Sequence, residues 1–118
     1  MHVRPHERLV AWQEAYRLCL WIYTLTKKFP SDERYGLISQ IRRAAYSVHT
    51  NIAEGNRKTS KKEKRKYFEI ALCSLEELHS ELKLSCDLQY IFQSEFIQAD
   101  DHINRVSYLL NRLRMSFA

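Results

Sequence analysis

The residues best equipped for chemistry in this chain are cations. Arg57, Lys58, Lys61, Lys62, Lys64, Arg65 and Lys66 stand within ten positions against one carboxylate, Glu63, a local net charge of +6. Such a run suits anions, and phosphate polymers above all, because each cation that neutralises a phosphate releases a condensed counterion. Most of the run falls where a helix is expected to start. The macrodipole already places partial positive charge there, so each added cation costs roughly 0.3–1 kcal/mol. A sequence shaped by stability alone would carry Asp or Glu. A helix start bearing lysines is an anion site instead, and a long nucleic acid would engage many copies of it brought together by oligomerisation. Tyr67 and Phe68 follow directly with rings able to stack on bases, although Phe68 falls on a core stripe. Two further readings stay open: a solvated charged end, and a subunit contact with the acidic Glu69–Asp101 stretch of a neighbour.

Other chemistries find less support. Glu76-Glu77-Leu78-His79 contains the E-x-x-H pair of di-iron bundles, but that site needs a second such pair and two more inward glutamates. The residues three before His49, His102 and His6 are Tyr46, Ala99 and Val3, so the second pair is missing and no metal is expected. Cys86 has no histidine close on its own helix face to activate it as a nucleophile. With only Gly36 and Gly55, no glycine loop can cradle phosphates. Neither catalysis nor a cofactor is expected. Arg42, Arg43, Asn51 and Glu54 flank the apolar stripe of one helix. Partly buried arginine–carboxylate pairing would let them fix register, or tie that helix to Glu76 or Glu77. Ligand contact by the arginines is the alternative.

The elements that must position these residues are helices. The 118-residue chain is long enough for one core, and its 45% apolar and 28% charged residues are ordinary globular composition. Two glycines and two prolines leave little material for the turns of an all-β fold. Apolar residues recur at helical spacing in four stretches, predicting helices over Glu7 to Lys28, Glu33 to Glu54, Lys61 to Tyr90 and Ser94 to Met115. Phe29-Pro30 ends the first, and Ser31 or Asp32 caps the second. Gly55-Asn56 is the expected stop of the second, and Ser60 with Glu63 a capping box for the third. Short links make the simplest arrangement an all-α, antiparallel up-down-up-down four-helix bundle, one domain over residues 1–118. Cys19, Cys73 and Cys86 are odd in number and lack C-x-x-C spacing, as expected of free thiols in a reducing compartment. No signal peptide is visible, and the longest nearly apolar run, Leu18 to Leu25, falls far short of the ~20 residues of a membrane span. A cytoplasmic protein without a membrane partner is expected.

The first helix carries more apolar surface than a bundle needs. Trp12, Tyr16, Cys19 and Tyr23 form a second stripe, offset from the core stripe Ala11, Ala15, Leu18, Ile22 and Leu25. A surface helix of a monomer needs one such face, so the second reads as a subunit interface, where Trp and Tyr are enriched. The competing reading is that these rings only widen the core face.

Several motifs occur in a telling order. They are Leu9-x-x-Trp12, Ile22-Tyr23-x-x-Thr26, Phe29-Pro30-x-x-Glu33-Arg34-Tyr35-Gly36-Leu37, Gln40-Ile41-Arg42-Arg43-Ala44-Ala45-x-Ser47-Val48 and Asn51-Ile52-Ala53-Glu54-Gly55. Glu63, Ile70-Ala71-x-x-Ser74-x-x-Glu77-Leu78 and Leu88-x-Tyr90-Ile91 complete the series. Over residues 9–91 the chain thereby resembles the bacterial four-helix-bundle family encoded by intervening sequences in 23S rRNA genes. The resemblance implies a left-handed antiparallel bundle assembled as a homopentamer. It also implies distant kinship with the accessory variability determinant of diversity-generating retroelements, a basic pentameric bundle that binds nucleic acid and a reverse transcriptase. It implies no settled biochemical activity. Lys64 and Arg65 replace residues often apolar in the family, which makes this member more basic, and Cys73 replaces a frequent glycine of close helix packing. The expectation is a non-enzymatic homo-oligomer that binds RNA or DNA backbone through Arg57–Lys66. The alternative is an adaptor or scaffold whose basic end docks a partner protein or a neighbouring subunit.

Overall fold

A computed structural model describes residues 2–118. It contains four α-helices, α1 (Val10–Thr26), α2 (Leu37–Arg57), α3 (Lys61–Asp87) and α4 (Gln93–Met115), and no strand among the described residues. Each helix packs on two others, in the cyclic order α1, α2, α3, α4 and back to α1, and the backbones of diagonal helices stay further apart among the described residues. Neighbours run antiparallel. Arg42 near the start of α2 reaches Thr26 at the end of α1, and Arg114 near the end of α4 reaches Glu69 near the start of α3. The bundle is 43 Å long, and no described helix is long and apolar enough to cross a membrane.

The predicted stripes form the core. Ala15, Leu18 and Ile22 of α1 close on Ile41, Ala45, Val48 and Ile52 of α2, on Phe68, Leu75, Leu78 and Leu82 of α3, and on Ala99, Val106 and Leu110 of α4, all but sealed from solvent. Burying each large side chain contributes about 1.5–3 kcal/mol. That exceeds the few tenths by which most residues differ in helix propensity, so the apolar stripe decides where each helix sits.

The helix ends depart from expectation, each for a local reason. Pro5–Arg8 forms a separate 3-10 turn, in which the Glu7 carboxylate accepts the Arg4 N–H at 2.7 Å, and α1 begins only at Val10. Ser31–Glu33 forms another such turn, so neither Ser31 nor Asp32 caps α2. That helix starts at Leu37, whose N–H donates to the Glu33 carboxylate at 3.3 Å. Gly55-Asn56 is not the stop: α2 continues through both to Arg57. Gly55 has no left-handed backbone. It is needed for space, because a Cβ there would lie 2.8 Å from Phe68 Cε1 and 3.0 Å from Tyr67 Cβ. Ser60 caps α3 as expected, its Oγ accepting the Glu63 N–H at 3.0 Å. α3 ends two residues before Gln89, which takes a left-handed φ of 66°.

Candidate nucleic-acid interface

The antiparallel topology gathers the start of α1, the end of α2, the start of α3 and the end of α4 at one pole, where the basic run lies. The run divides into two kinds of cation. Lys64 and Arg65 are half-buried and turned onto neighbouring helix ends. Lys64 Nζ donates to the Asn56 carbonyl at 2.9 Å and lies 5.2 Å from the centre of the Phe117 ring. Arg65 Nη1 donates to the Phe117 carbonyl. The Asn56 carbonyl belongs to the last turn of α2, which lacks intrahelical donors and carries partial negative charge, and the Phe117 carbonyl lies in the turn just beyond α4. The cost of placing these cations at the start of α3 is thus offset by what they do for α2 and α4. This end does not protrude beyond the packed core: Phe117 folds over it and packs on Phe68 with ring centres 6.0 Å apart.

Arg57, Lys61, Lys62 and Lys66 are exposed and make no ion pair among the described residues. Lys58 is half-buried with its ammonium 5.1 Å from the Tyr67 ring centre. Phe68 is fully buried, so its ring is not available to a base, and Tyr67 is half-buried. The fold adds cations that the linear run does not contain. Arg4 shares a shallow groove with Asn56 and Arg57, and Arg112 lines another with Leu9 and Val10. Neither arginine stands out in the sequence. Only the long-range pairing of the chain's two ends with the α2–α3 link brings them to this pole.

The polar set of α2 does not form the expected arginine–carboxylate pairs. Arg42 donates through Nε to Thr26 Oγ1 at 2.9 Å and through Nη2 to the Tyr23 carbonyl at 3.3 Å, with its guanidinium 4.6 Å from the Tyr23 ring centre. It closes the C-terminal end of α1, where orphan carbonyls need donors. Arg43 and Glu54 are exposed, without an ion pair among the described residues. Asn51 donates to Ser47 O at 2.7 Å, and Ser47 Oγ meets Ser74 Oγ at 2.9 Å, so hydroxyls tie α2 to α3. Glu77 pairs with no arginine among the described residues and instead crowds Glu81. Burial, then the charge and carboxyl contact of Glu77, push Glu81 up to about 7. Its Oε1 is buried with no donor. His79 pairs with Asp100 at 3.2 Å and packs on the Phe96 ring, which ties α3 to α4.

The second stripe of α1 also divides. Cys19 belongs to the core at 6% exposure, and burial raises its thiol pKa. Trp12 is half-buried, stacked on Tyr16 at 4.9 Å and edge-on to His49 of α2 at 6.0 Å. Burial, then the nearby His6, lowers the His49 pKa and favours the neutral ring. The upper part of the stripe therefore covers the α1–α2 seam. Tyr16 and Tyr23 keep about two-fifths of their surface exposed, at 41% and 37%, and Leu20 keeps 55%. Cys73 is exposed, so within one subunit the close helix approach lies at Gly55 rather than at position 73.

Comparison with known proteins places this architecture. The family model described as 23S rRNA-intervening sequence protein matches residues 7–112. A crystal structure of a protein of unknown function from the S23 ribosomal protein family of Bacteroides thetaiotaomicron is similar in fold, with a TM-score of 0.82 at 21% identity. The match covers 89% of this chain and 98% of that one. No curated protein matches.

Proposed function

The chain belongs to the 23S rRNA-intervening sequence protein family, and from that footing we propose that it is a non-enzymatic, homo-oligomeric bundle that binds RNA or DNA backbone through its basic pole. The observation that carries this reading is the set of unpaired, exposed cations Arg57, Lys61, Lys62 and Lys66. They surround the positive end of the α3 dipole and are joined there by Arg4 and Arg112. Phosphates meet both the fixed charges and the dipole at this place. Phe68 is buried and Tyr67 half-buried, and the exposed cations sit on helix ends where phosphate contacts dominate, so binding is expected to be largely indifferent to sequence. Self-association draws on Tyr16, Leu20 and Tyr23, an exposed apolar strip on α1 beyond what the core uses.

The test is a salt-dependent titration with single- and double-stranded RNA and DNA. Arg57, Lys61, Lys62 and Lys66 are changed together to Gln, which leaves the helix-capping Lys64 and Arg65 in place. Loss of binding with an unchanged helical spectrum is expected. On duplex the slope of log K against log salt should fall by up to about 3–4, at ~0.9 for each phosphate no longer neutralised. Unchanged affinity in this variant would sink the proposal.

A further inference from the structure

We infer that two faces of this chain are complementary, the Tyr–Arg groove on α1 and α2 of one copy receiving the Glu77–Glu81 edge of α3 from a second copy. The inference rests on the homo-oligomeric reading above and deepens it by naming the surfaces that meet.

The groove lies toward the pole opposite the basic run. It is lined by Tyr23, Tyr35 and Tyr46 with Arg34, Arg42 and Arg43, and by no carboxylate. Arg42 is committed to α1 and holds the Tyr23 ring by its face. Arg34 and Arg43 have no ion-pair partner among the described residues. Tyr35 is 89% exposed. Tyrosine and arginine are the residues that most often anchor protein interfaces, and here they are present without anything to anchor to.

The α3 edge lacks what the groove has. Glu77 and Glu81 are one helical turn apart, crowd each other, and face no Lys or Arg within salt-bridge distance among the described residues. A buried carboxyl oxygen without a donor, as Glu81 Oε1 is, is uncommon in folded proteins. A guanidinium from another molecule, set beside the exposed Glu77, would relieve the like-charge contact, whereas Glu81 Oε1 is sealed inside the subunit and takes no part in docking. Exposed Ile70 and Leu84 flank these carboxylates and supply apolar area beside the charge.

The two faces also stand at the same level. The Ser47–Ser74 contact at 2.9 Å fixes the register of α2 against α3. Arg43 lies four residues before Ser47 and Glu77 three residues after Ser74 on antiparallel helices, so they share a level to within about 1.5 Å, one residue of helical rise. A head-to-tail contact closes into a ring when the rotation relating the copies carries no translation along its axis; with translation it runs on as a filament. Equal levels suit closure about an axis along the bundle.

Charge reversal with mixing tests the inference. By sedimentation velocity and native mass spectrometry at micromolar concentration, the unaltered chain is expected to be assembled. Arg43→Glu alone and Glu77→Arg alone are expected to be monomeric, each with an unchanged helical spectrum. Equimolar mixing should restore association between unlike chains, because each unlike junction sets a carboxylate against a guanidinium; a ring with an odd number of members keeps one like junction and is expected to form less well than an even or open alternating species. Mixing cannot repair a pair within one chain, so recovery reports a contact between copies. If either reversal disturbs folding, Arg43→Gln and Glu77→Gln replace them, with at least tenfold weaker self-association expected. Assembly that survives the single changes, or two folded variants that stay monomeric when mixed, overturns the inference and leaves the homo-oligomeric reading standing. A monomeric unaltered chain defeats both. Intact assembly of Arg43→Glu together with weakened single-stranded DNA binding would overturn it in favour of a nucleic-acid groove.

Discussion

Gly55 shows how much one atom decides. A glycine inside a helix is worth about 1 kcal/mol less than alanine, so Gly55→Ala would ordinarily be a stabilising change. Here the added methyl meets Phe68 Cε1 at 2.8 Å and Tyr67 Cβ at 3.0 Å. Phe68 is fully buried, with Phe117 packed against it, and has little room to retreat. Overpacking of this kind costs about 1–3 kcal/mol, enough to cancel or reverse the propensity gain. Gly55→Ala is therefore expected to lower the urea midpoint at constant m-value, and a raised midpoint would show that Phe68 yields. In the sequence the same glycine reads as a helix stop, because a glycine after a periodic run commonly takes the left-handed turn. Its true constraint is a ring thirteen positions away on another helix. Lys64 and Arg65 teach the same lesson. Their charge is legible in the sequence, but their partners, the Asn56 and Phe117 carbonyls, are set by how the helices meet.

Among the elements, periodicity settles the middles and leaves the ends open. The four stripes are legible because burial repeats every three or four residues whatever the neighbours are. The ends depend on backbone geometry that residue type only biases, as the two 3-10 turns before α1 and α2 show. The end of α3 gives a direct test. Tyr90 N–H donates to Ser85 O at 2.9 Å and Gln89 N–H to Cys86 O at 2.9 Å, with Gln89 left-handed. This is the hydrogen-bond pattern of a Schellman motif, which glycine usually completes. A residue with a Cβ is penalised there by roughly 1–2 kcal/mol, part of which glycine gives back through its greater freedom in the unfolded chain. Gln89→Gly is expected to stabilise the bundle by about 0.5–1 kcal/mol, visible as a higher midpoint in thermal or urea unfolding. The turn is held from outside as well, since the Tyr90 hydroxyl donates to the Glu33 carboxylate at 2.9 Å. That bond also favours the protonated phenol and raises the Tyr90 pKa. A destabilised Gln89→Gly variant would mean that the side chain of Gln89 contributes more than its backbone costs.

For the whole molecule, folding turns a charge sequence into a charge geometry. Along the chain the basic run is followed by a second half of net −4. In the bundle each helix reverses the last, so Arg4 from the first residues and Arg112 from the last helix come to the pole that holds Arg57–Lys66. The sequence does not display this, because the two arginines lie far from the run and carry no motif. At physiological ionic strength the Debye length is about 8 Å, against a bundle 43 Å long, so the two poles act as separate electrostatic bodies. Phosphate binding at the basic pole should therefore respond to Arg4 and Arg112 and ignore cations elsewhere. Changing both to Gln is expected to lower the slope of log K against log salt by up to about 2 on duplex, at ~0.9 for each phosphate. Arg4 has no ion-pair partner among the described residues, and Arg112 keeps only a 3.3 Å contact to the Tyr108 hydroxyl, so the melting temperature should scarcely move. Lys27→Gln removes an exposed cation from the far end of α1 and should leave the slope unchanged. Equal effects of Lys27→Gln and of Arg4→Gln would show that net charge attracts the polymer and that the pole has no particular part in it.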